Sequence, residues 1–141
     1  MKRIFIRVFF LLLLVVLQGS GCVGLGAAAV AGGIVYYKST HHETASVNLQ
    51  ASPDRVYQAA LETVAAQPGV EIVNQDKSSR LLELKQGKCN ITLKVAALSP
   101  TLTQLHVTSD VHSGTPGSTQ AVLNRVGEIC DRLGVAHYVV K

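Results

Sequence analysis

From Thr44 to Leu49 apolar and polar residues alternate, with Ala45, Val47 and Leu49 on one side and Thr44, Ser46 and Asn48 on the other. Period-two alternation predicts a strand with one buried face. The pattern then changes. Ser52 and Pro53 mark a helix start, Ser as N-cap and Pro at the first helical position, where a missing N–H is harmless. Val56, Tyr57, Ala60, Leu61 and Val64 follow at helical spacing, and Pro68-Gly69 stops the run. Strand patterns return over Val70 to Asn74 and Arg80 to Lys85, with Leu82 and Leu84 on one face. Gln86-Gly87 predicts a hairpin turn. Lys88 to Ala96 has the cleanest alternation: Cys89, Ile91, Leu93 and Val95 inward, Asn90, Thr92 and Lys94 outward. Leu102 to Ser109 repeats it, with Leu105 and Val107 inward and Gln104, His106 and Thr108 outward. A loop with Gly114, Pro116 and Gly117 precedes a last helix over Ser118 to Leu133, whose apolar stripe is Val122, Val126, Ile129, Cys130 and Leu133. Gly134 ends it.

The order β-α-β-β-β-α predicts an α+β domain. Its antiparallel sheet of four or five strands carries two helices on one face, in a helix-grip-like arrangement. The opposite face is wet and carries Asn90, Thr92, Lys94, Gln104, His106 and Thr108.

The chain before Thr44 follows another logic. Lys2, Arg3 and Arg7 precede an apolar block from Val8 to Leu17, and Gly19, Ser20 and Gly21 lead into Cys22. A basic end, a short apolar middle and small residues at a cut form the layout of a secretory signal. The block is about half the ~20 residues a spanning helix needs. Gly19-Ser20-Gly21-Cys22 is similar to a bacterial lipobox, although Gly19 replaces the usual larger apolar residue. Acylation at Cys22 then anchors the chain, since each buried methylene contributes ~0.8 kcal/mol and two chains hold where one does not. The competing reading is an uncleaved helix from Val8 to Tyr37. For the segment after Cys22 three readings compete: a linker, an interfacial stretch ending at Tyr36, Tyr37 and Lys38, or a self-associating helix with a Gly24/Ala28/Gly32 stripe. The expected division is a signal over 1–21, a lipidated membrane-proximal segment over 22–42, an α+β domain over 43–135 and a tail over 136–141.

Charge changes little. The chain has 141 residues with 13 Lys and Arg against 9 Asp and Glu. Three of the basic residues lie in the signal, so the remainder is close to neutral. Such a balance, with few aromatic residues, gives no support for nucleic-acid binding. Once Cys22 carries lipid, Cys89 and Cys130 are an even pair in an oxidising compartment. A bridge between them would close a 41-residue loop, worth roughly 4 kcal/mol in the chain-entropy model. Two buried thiols are the alternative.

The lipobox Cys, the Gly/Ala-rich run ending in Tyr-Tyr, the strand, SPDRVYQAALETV and the closing helix resemble the small bacterial lipoproteins of the domain of unknown function 3568 family. The resemblance covers about Cys22 to Leu133 and carries over no functional residue except Cys22, because the family has no assigned activity. HVTSDVHSGTPGS departs from it by its polarity. The topology also resembles the helix-grip domains of lipoproteins in the outer-membrane barrel assembly machinery, an analogy of fold that does not fix function.

Candidate chemistry is sparse. His41-His42-Glu43 could begin a metal site, but adjacent strand residues point opposite ways and no CxxC or HExxH spacing supports it. His106, His112 and Asp110 lie close in sequence without a strained nucleophile turn around Ser109 or Ser113. Cys89 faces inward, where thiols are inert. His137 and Tyr138 fall on the tail. Gly24-x-Gly26 lacks the strand and third Gly of a dinucleotide loop. No catalytic residue, cofactor or metal is expected, and the chain is read as a non-enzyme.

The leading expectation is an envelope lipoprotein. It is anchored to membrane lipid through Cys22, and Val23 in place of a retention Asp points to the outer membrane facing the periplasm. Its domain would engage an envelope protein partner through the wet face or a strand edge. Two alternatives are a small-ligand binder or hydrolase with a cleft between sheet and last helix, and a self-associating structural lipoprotein.

Overall fold

The computed structural model describes residues 32–110 and 118–140. Cys22, Gly24, Gly26, Ala28, His112 and Ser113 lie outside them. The elements run β1 (Gly33–Lys38), β2 (His42–Leu49), α1 (Pro53–Ala65), β3 (Val70–Asp76), β4 (Leu81–Gln86), β5 (Cys89–Ser99), β6 (Leu102–Asp110), α2 (Ser118–Leu133) and β7 (Tyr138–Val139). They form an α+β fold with one seven-stranded sheet in the order β3-β4-β5-β6-β2-β1-β7. Every pairing is antiparallel except β1 with β7.

Both helices lie on the same face. α1 packs over β3, β5 and β6, α2 over β1, β2 and β6, and the helices touch each other. The inward residues of the central strands fill the space between: Ala45, Val47 and Leu49 from β2, Ile91, Leu93 and Val95 from β5, Leu105 and Val107 from β6. Val56, Ala60 and Val64 meet them from α1, and Val122, Val126 and Ile129 from α2. The alternation and the helical stripes read from sequence therefore identify the core.

Two buried hydroxyls are matched by nearby carbonyls. The Thr103 hydroxyl donates to the Ala51 carbonyl at 2.7 Å, and Thr63 to Ala59 at 2.7 Å. Ser52 is the N-cap of α1, though its hydroxyl makes no capping bond. α2 ends in a Schellman arrangement: Gly134 at φ 70° donates to Asp131, and Val135 to Cys130. Both orphan carbonyls are thereby satisfied.

The sheet has more strands than the four or five expected, and two come from stretches read otherwise. Tyr36, Tyr37 and Lys38, expected as the interfacial end of a membrane-proximal segment, are strand residues paired with Ala45, Thr44 and Glu43. In β1 the outward Val35 and Tyr37 are as apolar as the inward Ile34, so no alternation betrays the strand. Tyr138–Val139, expected in a tail, pairs in parallel with Gly33 and Ile34. Two residues are too few to carry a period. Gly32 stands at the entry with φ 87°. Its amide donates to the Asn48 carbonyl and its carbonyl accepts from Tyr138. A Cβ there would collide with the Ala136 carbonyl oxygen. Gly32 thus stands in a turn, and the other two members of the expected stripe, Gly24 and Ala28, lie outside the described residues.

Candidate functional site on the open sheet face

With both helices on one side, the other face of β1, β2, β5 and β6 is left open. The registers arrange its side chains in rows. Thr92, Thr108, Thr44 and Tyr37 form one row across β5, β6, β2 and β1. Lys94, His106, Ser46 and Val35 form the next. The six residues expected on the wet face all stand on it, and Thr44, Ser46, Val35 and Tyr37 extend it. The two β1 residues were missed because that strand was not recognised.

Hydrogen bonds run along these rows rather than out to a deep cavity. Thr44 and Thr108 hydroxyls are 3.1 Å apart. The Asn90 amide donates to Asp110 Oδ2 at 3.1 Å, and His42 Nδ1 lies 3.1 Å from Asp110 Oδ1. At the centre, Ser46 Oγ is 2.7 Å from His106 Nδ1, and His106 Nε2 is 2.9 Å from Gln104 Oε1. An amide oxygen only accepts, so Nε2 carries the proton and Nδ1 accepts from the serine. Partial burial, reinforced by Lys94 on the neighbouring strand, pushes the His106 pKa down and favours this neutral ring.

Serine, neutral histidine and an orienting amide in series are the beginning of an acyl-transfer centre. What such a centre also needs is a pair of N–H donors for the oxyanion. Ser46 and His106 sit opposite each other inside the β2–β6 ladder, where backbone amides pair between strands. The face is a surface of hydroxyls, amides and one ring joined by hydrogen bonds.

The other expected residues are dispersed. His106 and Asp110 share a face of β6 but have different partners. Ser109 is buried on the inner face. His42 points to the open face and Glu43 inward, where Lys38 Nζ approaches it at 2.9 Å. Glu43 is fully buried, while His41 and His42 are exposed. Among the described residues no three metal-ligating side chains converge. His137, expected on an exposed tail, packs beside Gly127 of α2 and lies 3.6 Å from Asp131.

Cys89 and Cys130 are both free thiols. Cys130 is buried on α2, which covers β1, β2 and β6. Cys89 begins β5, the strand that α1 covers. Cys89 stands opposite Gln86 in the β4–β5 ladder and is half buried, whereas Cys130 is fully buried. Burial, with Asp131 adding to it, pushes the Cys130 thiol up to about 11.

A further feature was not legible in the sequence. Arg125 is buried at the middle of α2. It sits between apolar stripe positions, where a charged residue ordinarily reads as the solvated flank of a helix.

Three solved structures illustrate what the chain is similar to. A protein from Thermobifida fusca aligns at 14% identity, covering 70% of this chain and 99% of that one, with a TM-score of 0.48. A conserved protein of unknown function from Enterococcus faecalis aligns at 12% identity over 71% and 74%, with a TM-score of 0.46. A START superfamily protein from Mycobacterium smegmatis aligns at 17% identity over 67% and 92%, with a TM-score of 0.36. No curated protein matches the chain. The family described as Protein of unknown function (DUF3568) matches residues 3–121, most of the sequence, and the chain belongs to that family.

Proposed function

We propose that the protein is a non-enzymatic, lipid-anchored binding module of the bacterial cell envelope. It is tethered through acylated Cys22 and presents the open sheet face to a protein partner on the periplasmic side of the outer membrane. The observation that carries this reading is the placement of both helices on one face of the sheet, which leaves a broad polar face uncovered. The anchor rests on the Gly19-Ser20-Gly21-Cys22 stretch. Only nine residues separate Cys22 from Gly32, the first described residue. Fully extended they reach at most about 30 Å, so the tether holds the domain close to its membrane. Among the described residues no helix is long and apolar enough to cross a membrane.

The test has two parts. Intact mass of the detergent-extracted protein, beside Cys22→Ser, reads the anchor: a mass beginning at Cys22 with acyl chains supports it, and an unprocessed, unlipidated mass removes it. A photocrosslinking residue at Thr92 or Thr108, compared with one at Gln58 on the exposed side of α1, reads the surface. One discrete adduct from the sheet positions alone supports the reading. Equal capture from Gln58, or none from the sheet, rejects it.

A hydrolytic reading draws on the 2.7 Å contact of Ser46 with His106. Labelling of Ser46 by a fluorophosphonate, lost in His106→Ala, would favour it. Absence of labelling would leave the pair as part of the recognition surface.

A further inference from the structure

We propose that the corner between the end of α1, the β4–β5 turn and the middle of α2 binds a small oxyanion, a carboxylate or phosphate, held by Arg125. This site is independent of the open face and lies on the helix side of the sheet.

Arg125 is only 6% exposed. Its Nη2 donates to Gln86 Oε1 at 3.2 Å, while Nη1 is buried without a hydrogen-bond partner. Among the described residues no carboxylate lies within 4 Å of it. A guanidinium presents its donors as a fork matched to two oxygens. Leaving such a charge buried and unpaired is strongly unfavourable. Beside it is a cavity of about 180 Å³, lined by Gln67, Gln86, Ala121, Asn124, Arg125 and Glu128. Five of these six residues are polar. The volume is below the range of pockets for drug-sized ligands and suits a group of a few atoms.

Three of the lining acceptors are already engaged. Glu128 Oε2 accepts from Gln67 at 2.7 Å, Asn124 Oδ1 from Gln120 at 2.8 Å, and Gln86 Oε1 from Arg125 itself. The Gln86 and Asn124 amides, whose N–H groups can donate, line the same cavity as Arg125. Glu128, one turn along α2, acts on the Arg125 pKa in the opposite direction to burial. It is the one lining carboxylate and would oppose an incoming anion.

The full chain in detergent is titrated with inorganic phosphate, acetate and N-acetyl-glutamate amide, against chloride at equal ionic strength, with the melting temperature as readout. Anions that bind the folded state raise it by mass action. The expected result is a rise with at least one of the three anions, abolished in Arg125→Met and enlarged in Glu128→Gln. Arg125→Lys, which keeps the charge and loses the fork, should weaken binding at least tenfold. Arg125→Met should itself melt no lower than wild type without anion. A response to phosphate or acetate assigns the site to a free small anion. A response to the glutamate probe alone assigns it to a carboxylate side chain of a partner. No response in the wild type, or an equal response in Arg125→Met, overturns the proposal. So does equal destabilisation by Arg125→Met and Glu128→Gln without anion, which would make the two residues a structural ion pair.

Discussion

The side chains that set the behaviour of this protein do so through their immediate surroundings, and two can be tested singly. His106 is neutral in its row because partial burial and Lys94 disfavour the charged ring. Its folded pKa lies below its unfolded value, so the unfolded chain takes up the proton first. The stabilising contribution is complete above the unfolded pKa near 6.5 and is lost as pH falls through the interval down to the folded value. Thermal melts at pH 7.5 and 5.5 should show a decline in the wild type that is shallower in His106→Asn. An identical decline would mean that His106 is not the responsible group. Cys130 behaves oppositely towards base. With its thiol pushed up to about 11 by burial, it carries little thiolate at pH 8 and is shielded from reagents. Cys89 is only half buried. Alkylation of the native protein at pH 8, read by peptide mass, should therefore modify Cys89 well before Cys130, with both equal after unfolding. Protection of both thiols until a reductant is added would instead demonstrate a bridge.

At the scale of elements, the contrast between Gly32 and Gly69 separates backbone strain from close packing. Both have positive φ, 87° and 75°. Nothing lies within 4 Å of a Cβ built on Gly69, whereas one on Gly32 collides with the Ala136 carbonyl. Gly69→Ala should destabilise by ~1–2 kcal/mol, the cost of left-handed backbone for a residue with a Cβ. Gly32→Ala should cost clearly more, because β1 and β7 can no longer close. Urea midpoints measure both, and equal losses would show that the β1–β7 contact adds nothing. The same pair of strands marks the limit of what the sequence revealed. β2, β5 and β6 were legible because one face is apolar and the other polar, and the helices because their stripes fall at 3.6 residues. β1 was not, since Val35 and Tyr37 are apolar yet face outward. The wet face followed from alternation and was read correctly over β5 and β6. The Ser46–His106 contact was not readable, because it depends on β2 lying beside β6 across 60 residues of chain. Arg125 was hidden for a related reason: its burial is imposed by Gln86 and the hairpin turn, not by its own helix pattern.

At the scale of the whole molecule, the sheet is completed by both ends of the described chain, and its stability should depend on them together. Ile34 contributes a fully buried side chain to the core. Lys38 supplies a cation to the buried Glu43 at 2.9 Å, and that contact holds the Lys38 pKa above its ordinary value. β1 also covers the edge of β2 and carries β7, which joins the sheet through Gly32 and Ile34. A chain beginning at residue 43, where the change in sequence character suggests a domain start, loses all of this at once. Removing a buried Ile side chain alone costs ~2–5 kcal/mol, and a small domain has only ~5–15 kcal/mol in total. The bared β2 edge would also invite pairing with other chains. A chain spanning 32–141 should therefore melt cooperatively by circular dichroism. One spanning 43–141 should be unfolded or aggregated, and restoring Gly33–Lys38 should recover it. If the shorter chain melted at the same temperature, β1 and β7 would be accessories to a complete five-stranded domain, and the placement of the fold within reach of Cys22 would lose its significance.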